Sequence, residues 1–364
     1  MRVLSLRKFD WTLFGAAILL VFFGLAAIYS TSLDAGGAAG DFTHFWRQVI
    51  FAATGVALLF IMSAVDYRLL SGLARVLYVV SLLLLIAVLV FGTTVRGTRG
   101  WFGFGGFGVQ PVELVKLFLV IYLAKFFSDY ARHPAGLKQI IGSGVALAGV
   151  FLLVIIQPDF GSAMLLIAVW GALLLISGIR RSHLIVMVLL CIVTMAASWL
   201  FILKPYQKDR VTSFWDPSVD PRGKGYNVTQ SVIAIGSGGL MGKGLGFGSQ
   251  SQLRFLPERQ SDFIFAVVAE ELGFIGTHFV CGLFAVIFYR GFRLASESHD
   301  DFTMFLILGI MASFATEVAV NIGGTMRLLP VTGVTLPFLS YGGSSLLVKF
   351  LMIGVLESIA VRRG

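Results

Sequence analysis

The stretch LPERQSDFIFAVVAEELG, residues 256–273, changes solvent midway. Up to Asp262 it is polar and charged; from Phe263 it is apolar without a break until Glu270 and Glu271. A run of that kind marks a chain passing from water into hydrocarbon, and it makes the two later carboxylates costly unless they face protein. The composition agrees. Apolar residues make up 57% of the 364-residue chain and charged residues 13%, with a mean hydropathy of +0.90. A soluble domain is about 25% charged. The sequence therefore predicts an all-α polytopic integral membrane protein. No cleavage site follows the first apolar run, so that run is expected to be a retained span.

Working outward, a span needs roughly 20 apolar residues. Such runs lie near 11–31, 45–65, 74–92, 111–128, 139–157, 160–179, 183–203, 263–290, 302–323 and 344–361, which predicts about ten transmembrane helices. The fifth and sixth form a hairpin around QPDFG. With the N-terminus in the cytoplasm, the inner loops carry Arg2, Arg7, Lys8, Arg68, Arg75, Lys125, Arg132, Lys138, Arg180, Arg181, Arg290, Arg293, Arg362 and Arg363. The short outer loops carry only Arg47, Arg96, Arg99 and Arg327. This asymmetry places both termini in the cytoplasm and the long loop 204–262, between the seventh and eighth spans, outside. Residues 1–364 read as a single transmembrane domain with that loop as its extracellular part. The net charge of +9 then reflects orientation and anionic lipid rather than nucleic acid.

Some features lead nowhere. GSGGLMGKG fails as a phosphate loop, because Ser237 stands at the first glycine position and Gly244 where Ser or Thr belongs. Cys191 and Cys281 lie in apolar runs and read as small hydrophobes. No His/Cys cluster has zinc spacing.

The polar residues inside or beside spans are the site candidates. Glu113 and Lys116 stand at i, i+3, either as an anchoring ion pair or as the charged wall of a cavity. Asp159 reads first as a helix cap and second as a ligand contact. Glu270 and Glu271 read as helix-packing groups. Glu317 and Lys349 are either cavity liners or buried partners of each other. Asp262 begins a long helix, where it is an N-cap or a site acid favoured by the helix dipole.

At this point the blocks resemble a known family. The segment from Gly225 to Gly276 and the segment NIGGTMRLLPVTGVTLPFLSYGGSS, Asn321 to Ser345, resemble the long outer loop and C-terminal signature of the SEDS proteins, the RodA/FtsW type. RGWFGFGGFGVQPVELVKL and IIQPDFGSAM resemble two further blocks. The resemblance implies a multi-pass bacterial cytoplasmic-membrane glycosyltransferase that polymerises lipid II into peptidoglycan strands. It also implies a class B penicillin-binding protein as partner, beside lipid II, the polyprenyl-pyrophosphate-linked glycan and membrane lipids. The family acid maps to Asp262, acting on the acceptor hydroxyl directly or with a divalent cation, Mg or Mn, and no organic cofactor. Trp101 and Ser344 fall in the matching blocks. Arg210, Lys243, Arg254 and Lys116 are the candidates for the pyrophosphate. Gln260-Ser261-Asp262-Phe263 stands where the family has HTDF, Arg99-Gly100-Trp101 where it has R-R-W, and Gln110-Pro111-Val112-Glu113 where it has QPSE. The run SQSQLRFLPE is closer to the elongation type, RodA, than to the division type, FtsW. The rival readings are a lipid II flippase, whose site would lie at the midplane, and a non-catalytic scaffold that activates the transpeptidase.

Overall fold

The computed structural model describes residues 8–33, 40–95, 97–104, 107–131, 136–187, 189, 224–253 and 255–363. Arg210, Arg254, Cys191 and most of the expected seventh span lie outside them. The described chain is helical, in the order α1 (Trp11–Ser32), α2 (Thr43–Ala64), α3 (Arg68–Phe91), α4 (Pro111–Ser128), α5 (Leu137–Ile156), α6 (Phe160–Ile176), α7 (Lys224–Ser237), α8 (Ile264–Ser296), α9 (Asp301–Thr325) and α10 (Gly343–Arg362). Among the described residues α1, α2, α3, α5, α8, α9 and α10 are long and apolar enough to cross a membrane. The remaining expected spans, α4 and α6, are also helices; α4 carries three charges and α6 has 17 residues.

Local chemistry sets the helix ends. Asp10 caps α1 by accepting from Leu13 N, and Asp300 caps α9 by accepting from Thr303 N. Pro111 opens α4, where a missing N–H costs nothing. α9 and α10 are central: 56% and 72% of their apolar windows are buried, against 22% for α2 and for α3, which lie at the rim. Cys281, expected to be buried, is a free thiol on the exposed side of α8.

Two features depart from the expected bundle. The segment between α3 and α4 is a small antiparallel sheet, β1 (Thr93–Val95), β2 (Thr98–Phe104) and β3 (Phe107–Val109). Its register pairs Thr93 with Trp101 and Phe102 with Val109. Arg99 turns back to give its guanidinium to Val90 O at 3.0 Å and Gly92 O at 3.2 Å, satisfying carbonyls at the end of α3.

The second departure is in α8, which is bent rather than straight. Gly273 sits at φ 65°, ψ −161° inside it. Residues 274–296 alone give about 35 Å of helix, enough to span. Their antiparallel register with α1 is fixed by Arg290 on Asp10 at 2.6 Å at one face and Ser30 on Glu271 at 2.5 Å at the other. The first part, 264–271, is buried throughout, and the register with α1 ends at its last residue, Glu271. Lys8 Nζ donates to Arg363 O at 3.1 Å, so both described ends of the chain share the Asp10 face.

The glycine-rich segment after α7 repairs the break. Lys243 N donates to Glu270 O at 3.0 Å and Gly244 N to Glu271 O at 2.9 Å. Phe274 N and Ile275 N donate to Gly239 O and Leu240 O at 2.9 and 3.2 Å. Backbone groups released by the bend are thus paired by the strap, as a low-dielectric setting requires. The approach is close: a Cβ on Gly242, itself at φ 81°, would lie 2.1 Å from Glu271 O. GSGGLMGKG is therefore a splint for α8.

Candidate active site

Asp262 lies on a tight turn at the loop face. Ser261 N and Phe263 N both donate to Glu258 O, at 3.1 and 3.3 Å. Three further elements clamp the turn. Asn321 of α9 donates Nδ2 to Asp262 O at 3.0 Å. Ser340 Oγ donates to Ser261 O at 2.6 Å, and Tyr341 N donates to Gln260 O at 2.7 Å. Gln260 Nε2 donates to Thr31 Oγ1 of α1 at 3.1 Å. The helix begins at Ile264 with Phe263 as its N-cap, and Asp262 stands one position before it.

Beside Asp262 lies a small cleft, lined also by Asn321, Thr325, Thr332, Gly333 and Val334. Asp262 Oδ2 faces Gly333, 3.6 Å from where a Cβ would stand. The backbone at 332 packs on Gly161 at the start of α6, whose missing side chain admits it: a Cβ there would lie 2.7 Å from Thr332 O. Asp159 holds that helix start by accepting from Ser162 N at 3.0 Å and Ser162 Oγ at 2.8 Å, and also takes Gln110 Nε2 at 3.2 Å. Its role is the cap.

One turn of α9 inward from Asn321 lies Glu317, and there Glu113, Lys116, Glu317 and Lys349 close into a buried ring. Lys116 Nζ is 2.8 Å from Glu113 Oε1 and 2.8 Å from Glu317 Oε1. Lys349 Nζ is 2.7 Å from Glu317 Oε1 and 3.4 Å from Glu113 Oε2. The side chains are at most 8% exposed. Two acids and two bases from α4, α9 and α10 sum to zero charge, which is how ions persist in such a setting. The open question about Glu317 and Lys349 is answered: they are partners.

The other predicted residues are spread around this centre. Ser344 Oγ accepts from Gln110 N at 3.0 Å, tying the start of α10 to that of α4. Trp101 lies in the sheet with its ring over Gly108. Lys243 is held by Glu270 at 2.9 Å and donates to Ser249 Oγ, also at 2.9 Å. Glu270 additionally accepts from Gln250 N and Ser251 N, at 2.9 and 3.1 Å. Glu271 accepts from Ser30 Oγ, and from Gly246 N at 3.3 Å. The two acids were expected to serve helix packing; Glu271 does so through Ser30 of α1 and also takes Gly246 N, while Glu270 anchors the loop 243–252 onto α8. Asn321 and Thr332 were not singled out in the sequence. The signal that finds Asn321 is periodicity: Ser313, Glu317, Asn321 and Thr325 recur every four residues on α9, and all are buried.

Fold and site together define a multi-pass membrane protein with a clamped acid at one face, above a closed ion ring. The FtsW/RodA/SpoVE family model, described as a cell cycle protein, matches residues 10–364, and the chain belongs to that family. It is 37% identical over 349 residues to stage V sporulation protein E of Bacillus subtilis (strain 168), covering 94% of each chain. It is 37% identical over 339 residues to the peptidoglycan glycosyltransferase MrdB of Escherichia coli (strain K12), covering 92% of this chain and 90% of that one. Among solved structures, a chain from a peptidoglycan synthase complex that coordinates polymerization and crosslinking superposes with a TM-score of 0.82, at 30% identity over 98% of each chain.

Proposed function

We propose that this chain polymerises lipid II into glycan strands, with Asp262 as the base that activates the acceptor hydroxyl. The observation that carries the reading is a carboxylate on a turn clamped from α1, α9 and the 340–341 segment, beside a cleft lined by Asn321, Thr325 and Thr332. Pre-set geometry of this kind is what a general base requires. In the step, the hydroxyl proton passes to the carboxylate as the new glycosidic C–O bond forms. The C–O bond to the donor's pyrophosphate breaks, and polyprenyl pyrophosphate leaves. The name of the Escherichia coli relative supports the reaction class.

A divalent cation of the Mg or Mn type fits the site as one that takes a single carboxylate, Asp262, with its other positions filled by water and substrate phosphates. It would supply charge neutralisation for the leaving pyrophosphate. Among the described residues no group of three His, Cys, Asp or Glu gathers to make a cage.

The enzyme's place is the bacterial cytoplasmic membrane, both termini inside and the Asp262 cleft outside. The Lys/Arg asymmetry and the meeting of the two chain ends at one face support this orientation. A class B penicillin-binding protein is the partner; the likeness to a synthase complex that couples polymerization to crosslinking supports it. Identity to the sporulation protein and to MrdB is the same, so the elongation role rests on the run SQSQLRFLPE. The test is purified protein in detergent with lipid II, with products resolved by size, alone and with the transpeptidase. Glycan strands are expected; their absence in both arms overturns the reading.

A further inference from the structure

Asn321 and Thr332 each place a buried polar atom without a partner at the cleft. Asn321 is 4% exposed. Its Nδ2 is committed twice, to Asp262 O at 3.0 Å and Val334 O at 2.8 Å. That commitment fixes the amide orientation, since a flipped amide would set Oδ1 against two carbonyl oxygens. Oδ1 is left buried with nothing to accept from, and Thr332 Oγ1 is likewise buried and unpartnered. Both residues line the cleft that Asp262 opens onto. Buried polar groups are ordinarily satisfied, and an unsatisfied pair in one cleft calls for a ligand that brings a donor.

The chemistry of the set narrows that ligand. Asn321 Oδ1 only accepts, Thr332 Oγ1 both donates and accepts, and Asp262 is a carboxylate. A phosphate or pyrophosphate brings only acceptor oxygens and negative charge, and it is disfavoured on all three counts. A divalent cation seeks charged oxygens and substrate phosphates, which Asp262 and the donor substrate provide without these two neutral groups. The enclosed part of the cleft, about 10 Å³, holds about one water-sized group, which suits a single hydroxyl. We propose that Asn321 Oδ1 and Thr332 Oγ1 form a hydroxyl subsite that seats the acceptor sugar against Asp262. This rests on the polymerase reading and names the end of the reaction that the cleft serves: the acceptor, not the pyrophosphate donor. Asn321 has a double task, since the same amide that takes the sugar hydroxyl holds the backbone of the base. Ring and base are thereby referenced to one side chain.

Thr332→Val is the sharpest test, because it removes only the hydroxyl and keeps the shape. Without substrate that hydroxyl contacts nothing polar, so the variant is expected to melt at or above the parent temperature. Its polymerisation of lipid II is expected to fall about 10- to 100-fold, because a site built to hydrogen-bond a hydroxyl discriminates on that bond. Thr332→Ser is expected to restore most of the rate. Thr332→Ala carries the same prediction should the valine variant fail to insert. A valine or alanine variant at the parent rate, with Asp262→Asn inactive in the same assay, overturns the subsite and leaves the polymerase reading standing. Recovery of the lost rate by tenfold more Mn²⁺ also overturns it, by assigning the two oxygens to a cation. Parent rates in both Asp262→Asn and Thr332→Val variants would instead sink the catalytic reading beneath it.

Discussion

The ring of Glu113, Lys116, Glu317 and Lys349 and the cleft at Asp262 are neighbours on α9, four residues apart, yet they are built on opposite rules. In the ring each charge meets two of the opposite sign, and the four form a closed circuit. In the cleft a carboxylate stands beside an amide oxygen and a hydroxyl that nothing in the protein answers. The protein balances every charge in the ring, although Glu317 Oε2 makes no hydrogen bond; in the cleft two neutral polar atoms are left unanswered. Charge buried in a membrane protein is therefore not by itself a sign of chemistry. What marks the ring as a strut is that the protein has already balanced its charges. The same contrast disfavours a flippase that moves a charged head through the ring, since the ring has no unmatched charge to offer.

The contrast can be broken most forcefully at the ring. Lys349→Met leaves two acids facing one base in a buried setting, and breaking such a network typically costs about 3–5 kcal/mol. Its melting temperature in detergent should drop sharply, and activity should fall in proportion. Adding Glu317→Gln rebalances the charge and should recover much of the loss. Glu113→Gln is expected to behave as a milder member of this set. A ring variant that melts like the parent and yet cannot polymerise would move the ring from strut to site.

A smaller effect is expected at the splint. Gly242→Ala places a methyl group against Glu271 O at a backbone angle that L-residues avoid. Overpacking costs typically about 1–3 kcal/mol. Limited proteolysis should then nick the 238–248 segment faster than in the parent. Unchanged nicking would show that the strap does not hold the bend at Gly273.

Lys243→Met should be smaller still. Glu270 keeps two backbone donors after the change, so the loss is that of one hydrogen bond from a partly exposed lysine, about 1 kcal/mol. Activity should track stability. A variant that melts normally but loses polymerisation would return Lys243 to the pyrophosphate, against its present pairing.

How much of this was readable in the sequence follows from which forces act locally. Spans announce themselves, because roughly 20 apolar residues in a row have one use, and Asp262 stood out as the last acid before such a run. The bend in α8 was invisible: Gly273 stands between Leu272 and Phe274 like any glycine in a span, and hydropathy does not register a φ of 65°. The role of Glu270 was misassigned for the same reason, because its partners belong to a loop some 20 residues earlier, whereas Glu271 does pack on α1 through Ser30. The β1–β3 sheet was missed because short strands broken by glycine carry little periodicity. Glu317 and Lys349 were each conspicuous, but their pairing is made by α9 crossing α10, which one-dimensional spacing cannot show. Asn321 and Thr332 are ordinary residue types whose meaning lies only in being unsatisfied.

The central claim is that Asp262 acts on substrate and does not hold the fold. Asp262→Asn, assayed for glycan strand length from lipid II and for melting temperature in one preparation, tests it most directly. Asn is near-isosteric, and the clamp on this turn runs through backbone atoms of Ser261 and Asp262 and through Gln260. The account predicts a polymerisation loss of at least ~10²-fold, since a positioned general base contributes about 10²–10⁴, with melting essentially unchanged. Polymerisation near the parent rate in a stable Asn variant would contradict it and send the search for the base elsewhere, first to Glu113.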